Sequence, residues 1–86
     1  LATELQVFPN PANEQIHIVI GGSQLGSYQF NVFDVVGRNV LTKLATKTQK
    51  EETFILQVEE VPPGPYLLIV QDQNGKKSPF KIIIQK

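Results

Sequence analysis

No window of this chain carries apolar residues at the three- and four-residue spacing that a helix needs for one apolar face. Apolar and polar residues alternate instead, in short runs that Gly, Pro, Asn and Asp interrupt. Alternation with period two places every second side chain on the same face of an extended strand. Gln15–Ile20 shows the pattern plainly, with Ile16, Ile18 and Ile20 on one face and His17 and Val19 on the other. A chain written this way is confined to sheets, and a sheet buries an apolar face by packing on a second layer.

Seven segments read as strands: Leu5–Phe8, Gln15–Ile20, Ser27–Asp34, Arg38–Leu44, Thr53–Glu59, Tyr66–Asp72 and Phe80–Gln85. Tyr28, Phe30 and Val32 alternate against Gln29, Asn31 and Phe33, and Phe54, Leu56 and Val58 point inward, as do Phe80, Ile82 and Ile84. Ala45–Glu52 is polar and aperiodic and reads as a loop, whereas Tyr66–Asp72 is so apolar that both of its faces should be covered. The breaks have identifiable chemistry. Pro9-Asn10-Pro11 removes two amide donors, Asp34-Val35-Val36-Gly37 is a hairpin turn, and Pro62-Pro63-Gly64-Pro65 is a corner. Asn74-Gly75 is the dipeptide of a tight two-residue hairpin. Val, Ile, Thr, Phe and Tyr make up 29 of 86 residues against 3 Ala, which favours pleated surface over helix. The expectation is an all-β, seven-stranded, immunoglobulin-like antiparallel β-sandwich over residues 5–86, with residues 1–4 as a linker remnant. Because the chain opens on Leu1 and contains no Met, it is expected to be one piece of a longer protein.

Composition removes several classes of function. Lys plus Arg and Asp plus Glu are equal at 8 each, which leaves no basic excess for a nucleic-acid backbone. The longest apolar run, Tyr66–Val70, is far shorter than a membrane-spanning helix, so no membrane insertion is expected. Without Cys there is no disulfide, thiolate metal site or thiol nucleophile. His17 is the lone imidazole and lies out of phase with the Ile core face, where it reads as a surface residue. Ser23, Ser27 and Ser78 sit beside turns and none occupies a nucleophile elbow. Neighbouring carboxylates such as Glu59-Glu60 point to opposite faces of an extended chain and form no acid–base dyad. Gly21-Gly22 and Gly26 precede a strand and not the helix a phosphate cradle requires. Asp34 and Asp72 are the best candidates for calcium through the sandwich-end loops, yet no loop carries a full ligand pattern. The chain is read as non-enzymatic and without a cofactor.

One asymmetry and one pattern point further. From Val61 onward Lys76, Lys77, Lys81 and Lys86 face Asp72 alone, which fits either protection of an edge strand or docking to an acidic receptor. The ordered punctuation is more specific: Val7-Phe8-Pro9-Asn10-Pro11, then Phe33-Asp34-Val35-Val36-Gly37-Arg38, Pro63-Gly64-Pro65-Tyr66, Asn74-Gly75-Lys76 and Lys81-Ile82-Ile83-Ile84. Together these resemble the C-terminal sorting domain of the type IX (Por) secretion system of Bacteroidetes-type bacteria, over essentially the whole chain. Phe33 stands where that pattern more often has Tyr, and Pro65 where it more often has an aliphatic residue.

The resemblance implies an export address. An upstream cargo in the same precursor would be carried to the outer membrane or cell surface by a translocon that recognises this domain. A sortase-like cysteine peptidase would then cut at or before the Pro9-Asn10-Pro11 box. Pro9, Asn10, Pro11, Asp34, Gly37, Arg38, Gly64, Tyr66, Asn74 and Gly75 would be the motif positions, with Arg38 either bracing Asp34 or facing the receptor. Two other roles compete. One is an accessory carbohydrate-binding or spacer domain, although Tyr28 and Tyr66 both fall on core faces and there is no Trp. The other is an edge-strand dimer through Phe80–Gln85.

Overall fold

The computed structural model describes residues 4–86, which form seven strands and no helix: β1 (Glu4–Phe8), β2 (Gln15–Gly21), β3 (Gly26–Phe33), β4 (Asn39–Lys47), β5 (Glu51–Gln57), β6 (Gly64–Asp72) and β7 (Lys77–Ile84). They make two antiparallel sheets, one of three strands in the order β1-β2-β5 and one of four in the order β4-β3-β6-β7. This is the expected immunoglobulin-like sandwich, in the variant whose fourth strand pairs with the third instead of joining the smaller sheet. Glu4, expected in the linker, already pairs with Gly21 as the first residue of β1, while residues 1–3 lie outside the described part.

The alternating residues fall where their period requires. Ile16, Ile18 and Ile20 from β2 meet Phe30, Val32, Leu68, Val70, Ile82 and Ile84 from the facing sheet, all essentially without solvent contact. Leu56 and Val58 join them, and Phe54, Tyr66 and Phe80 pack half-buried at the margin of this core. The Phe30 ring leans on Phe54 with centroids 5.7 Å apart and planes tilted by 52°, an arrangement aromatic pairs favour.

Three features depart from the sequence reading. The loop expected over Ala45–Glu52 shrinks to residues 48–50, because β4 continues to Lys47 and β5 begins at Glu51. Polar residues concealed this continuation: Ala45 and Lys47 face inward, and Lys47 is buried with Nζ donating to the carbonyls of Gly22 (2.6 Å) and Lys50 (2.7 Å). β7 starts three residues early and runs through Pro79, which an edge strand tolerates when the missing donor faces away from the neighbouring strand. β6 is central in its sheet, as expected, but only one of its faces is covered. Leu68 and Val70 are buried, whereas Pro65 and Leu67 lie on the outer face and are exposed. An apolar strand sequence here reflects an apolar outer surface and not a third layer.

Sheet edges are managed by specific contacts. Residues 79, 81, 83 and 85 of the β7 segment turn their backbone groups away from β6, and four of those groups are occupied. Asn10 accepts from the Ile83 amide (2.9 Å) and donates to the Lys81 carbonyl (3.1 Å). Ala12 donates to the Ile83 carbonyl and accepts from the Gln85 amide, both at 2.8 Å. The edge considered above for dimerisation is therefore taken over its C-terminal half by the Pro9-Asn10-Pro11 segment of its own chain. On the opposite side Lys43 donates to the Ile55 carbonyl of β5 at 2.6 Å, an inward-facing charge on edge strand β4 that discourages strand addition. Replacing Asn10 by Ala removes two long-range bonds at about 0.5–1.5 kcal/mol each. The expected outcome is a loss of about 1–3 kcal/mol in denaturant unfolding, with faster hydrogen exchange at the Ile83 amide than at Ile82.

Candidate functional site

Two hairpins use one device. Asp34 Oδ1 accepts from the amides of Val36 (3.1 Å) and Arg38 (2.9 Å), while the Gly37 amide donates to the Asp34 carbonyl at 3.0 Å. Asp72 repeats this with Asn74 (2.9 Å), Lys76 (2.9 Å) and Gly75 (3.0 Å). Gly37 and Gly75 adopt φ of 87° and 86°, and no residue other than glycine has positive φ among those described. Asn74 is therefore not the left-handed partner of a two-residue turn as its dipeptide predicted. Each turn is an ordinary four-residue turn whose last residue, Gly, bulges so that the strands can resume pairing. The signal that identifies it is Asp-x-x-Gly followed by a basic residue, present at both Asp34–Arg38 and Asp72–Lys76.

The Arg38 guanidinium braces Asp34, with Nε 2.9 Å from Oδ2. The backbone amide of Arg38 holds the Asp34 carboxyl below the usual carboxylate range, helped by the Arg38 side chain and the Val36 amide against a smaller opposing desolvation. A lowered folded-state pKa contributes stability that is present above the unfolded value and lost as pH falls through the folded one. Wild type and Asp34→Asn, which keeps the acceptor oxygen but not the charge, should therefore differ most at neutral pH. Their thermal midpoints should converge below about pH 4, near the ordinary carboxylate pKa.

The structure sorts the motif residues into two groups. At the end of the sandwich where β3 turns into β4, the Pro9-Asn10-Pro11 segment, the Asp34–Arg38 turn and the Gly64-Pro65-Tyr66 corner come together around the last half of β7. Gly64 has φ of 149° and Tyr66 Oη donates to the Pro62 carbonyl at 2.6 Å, which locks the corner. Asp34, Val35, Pro65, Tyr66, Leu67 and Lys81 line a shallow depression of about 290 Å³ there. Asn74, Gly75 and Lys76 lie at the opposite end, beside Asp72. The two aspartates considered for calcium are thus separated along β3, and no cluster of three metal-ligating side chains occurs among the described residues.

The four lysines also separate. Lys76 is in the turn, Lys77 and Lys81 are exposed on the outer face of β7, and Lys86 Nζ is bonded to the carbonyls of Val58 and Glu59. His17 is half-buried on the outer face of the smaller sheet, stacked on Phe8 with centroids 5.4 Å apart. Tyr28 is buried and donates to the Gln24 carbonyl at 3.0 Å, so it offers no platform for a sugar ring.

The family model described as the secretion system C-terminal sorting domain matches residues 6–85. This chain belongs to that family, the sorting domains of the type IX secretion system. It is a family of non-enzymatic signal domains that address secreted proteins through the periplasm towards the cell surface. A search of curated proteins returns no match. Among solved structures the chain is similar to a β-glucosidase from Listeria innocua, determined in complex with glucose, with a TM-score of 0.63 at 17% identity. The likeness covers 99% of this sorting domain and 16% of that chain, and at this identity it speaks for the fold alone.

Proposed function

We propose that this domain is a C-terminal export signal that the outer-membrane translocon reads as a folded surface, after which a sortase-like peptidase removes it from its cargo. The observation that carries the reading is the pair of bonds from Asn10 to Lys81 and Ile83, which join the first family motif to the last across more than seventy positions. Residues so far apart form one feature only in the folded domain, and the side chains that define the motifs shape turns and cover an edge without presenting reactive groups. The cut would fall at or before the Pro9-Asn10-Pro11 box, which follows β1.

The test is a fusion of residues 1–86 behind a periplasmic reporter in a bacterium that has this pathway. Reporter on the cell surface with the intact domain, and in the periplasm without it, is the expected result. Reporter retained in the periplasm with the intact domain would remove the reading. Mass spectrometry of the surface reporter reports the cut: a new C-terminus before or at residues 9–11 is expected, and an uncut chain would remove the peptidase step.

A further inference from the structure

An antiparallel sheet in a sandwich usually shows solvent a polar outer face. The four-stranded sheet departs from this, most continuously over β6 and β7. Over β3 and β4 the outer face is mixed: Asn31 Oδ1 accepts from Thr42 Oγ1 (2.8 Å) and Asn39 Nδ2 (3.2 Å), and Leu44, 73% exposed, stands beside Gln29. Over β6 and β7 it is apolar. The register sets Leu67 beside Phe33, and Pro65 beside Ile83. Leu67 is 36% exposed, Ile83 50%, and Val35 at the adjoining turn 78%. Lys77 and Lys81 project from the same face, none of the outer-face positions of β3, β4, β6 or β7 is an acid, and Asp34, the acid that lines the depression, is paired with Arg38. The outer face of the smaller sheet also exposes apolar side chains, Phe8 and Ile55, but its charge is opposite: Glu4 and Glu51 flank Gly21, and Lys and Arg are absent from its positions.

We propose that the outer face of β6 and β7, from the depression at Val35 and Pro65 to Lys77, is the docking surface of the domain, and that its partner is a protein surface with an apolar centre and an acidic rim. This rests on the reading as an export signal and names the face that is read. Contiguous exposed apolar area on a small domain marks an interaction site, and a rim of one charge sign selects the sign of the partner's rim. The partner is therefore acidic protein and not an anionic lipid surface, because a flat centre of Leu67, Ile83 and Pro65 offers shape for side-chain packing while the face carries only two cations.

The experiment uses the same reporter fusion. Leu67→Thr with Ile83→Thr keeps β-compatible side chains while removing the apolar centre, and Lys77→Glu with Lys81→Glu reverses the rim. Val19→Thr with Ile55→Thr makes the equivalent change on the outer face of the smaller sheet. Surface reporter is expected to fall about tenfold for the first pair, the loss expected for a hot-spot contact, and about threefold for the second, on the scale of a modest electrostatic loss. The control pair should stay at the wild-type level. Thermal melts of each purified domain separate loss of docking from loss of folding, and the lysine pair, on exposed positions, keeps the test open should the threonine pair unfold. Export of both β6–β7 variants at the wild-type level would overturn the proposal, as would an equal fall in the control. Unchanged export of the lysine pair alone would overturn the acidic rim. Failure of the unaltered fusion to reach the surface would instead remove the export reading, and this proposal with it.

Discussion

Phe30→Ala lowers the stability of the domain by about 3–5 kcal/mol, the range for deleting a buried aromatic ring, and abolishes surface delivery of a fused reporter. Phe30 is fully buried at the centre of β3 and is in tilted contact with Phe54 from the facing sheet. The core cluster around it is apolar, and Lys43, its cross-strand neighbour, is already engaged with the Ile55 carbonyl, so the substitution leaves an apolar cavity that water does not fill favourably. A domain of this length has a total stability of roughly 4–13 kcal/mol at about 0.05–0.15 kcal/mol per residue. The loss is therefore comparable to the lower part of the whole. Urea unfolding measures the first part of the prediction, with an unchanged slope and a lower midpoint. Glu60→Ala, on an exposed position, should stay within about 0.5 kcal/mol and be exported normally. A Phe30→Ala domain that is unfolded at the growth temperature yet carries its reporter to the surface would show that the signal is a linear peptide, contrary to the proposal.

Periodicity made most of this fold legible, and the reason is visible in particular residues. Ile16, Ile18 and Ile20 repeat every second position with no interruption, so one register alone buries them, and all three are buried. Phe30 and Ile82 are specified in the same way. The strand ends that escaped the pattern include those of β1, β4, β5 and β7, all edge strands, where one side of the backbone has no neighbour strand and polar or imino residues are tolerated. The candidate site was legible only in part. Arg38 bracing Asp34 was one of two readings open, and the structure shows that bond while leaving most of the Arg38 side chain exposed. That Asn10 would meet Lys81 and Ile83 could not be read, because a bond over seventy positions depends on which strands become neighbours. That Leu67 faces solvent was hidden by the opposite inference, that an apolar strand is covered on both sides, whereas the alternation of β7 already set Ile83 on the side away from Ile82 and Ile84. The local excess of lysine at the C-terminal end also does not survive as one stripe, since Lys86 is held against Val58 and Glu59 at a distance from Lys77.

Lys47 gives the second large effect, and it separates two ways in which a buried cation can stabilise a protein. The side chain is only 1% exposed and its ammonium is bonded to the carbonyls of Gly22 and Lys50, with no carboxylate among its recorded hydrogen-bond partners. Geometrically it plugs the end of the sandwich where β4 and β5 separate: the stem fills apolar space and the head ties the β2–β3 and β4–β5 connections together. Lys47→Ala removes both contributions and should cost about 4 kcal/mol, from three lost methylenes at about 0.8 kcal/mol each and charge-assisted bonds at about 1.5–3 kcal/mol each, reduced by relief of the buried charge. Lys47→Met retains the stem and loses only the head, so it should cost about 2 kcal/mol. Because the acceptors are dipoles and not ions, both losses should be nearly the same at 0.05 M and 1 M sodium chloride, whereas a surface ion pair weakens with salt. Urea unfolding of the three proteins at the two salt concentrations decides the matter. Equal costs for Ala and Met would show that the ammonium alone holds this end closed, and a strong salt dependence would show that its partner is an acidic group such as Glu52 and not the two carbonyls.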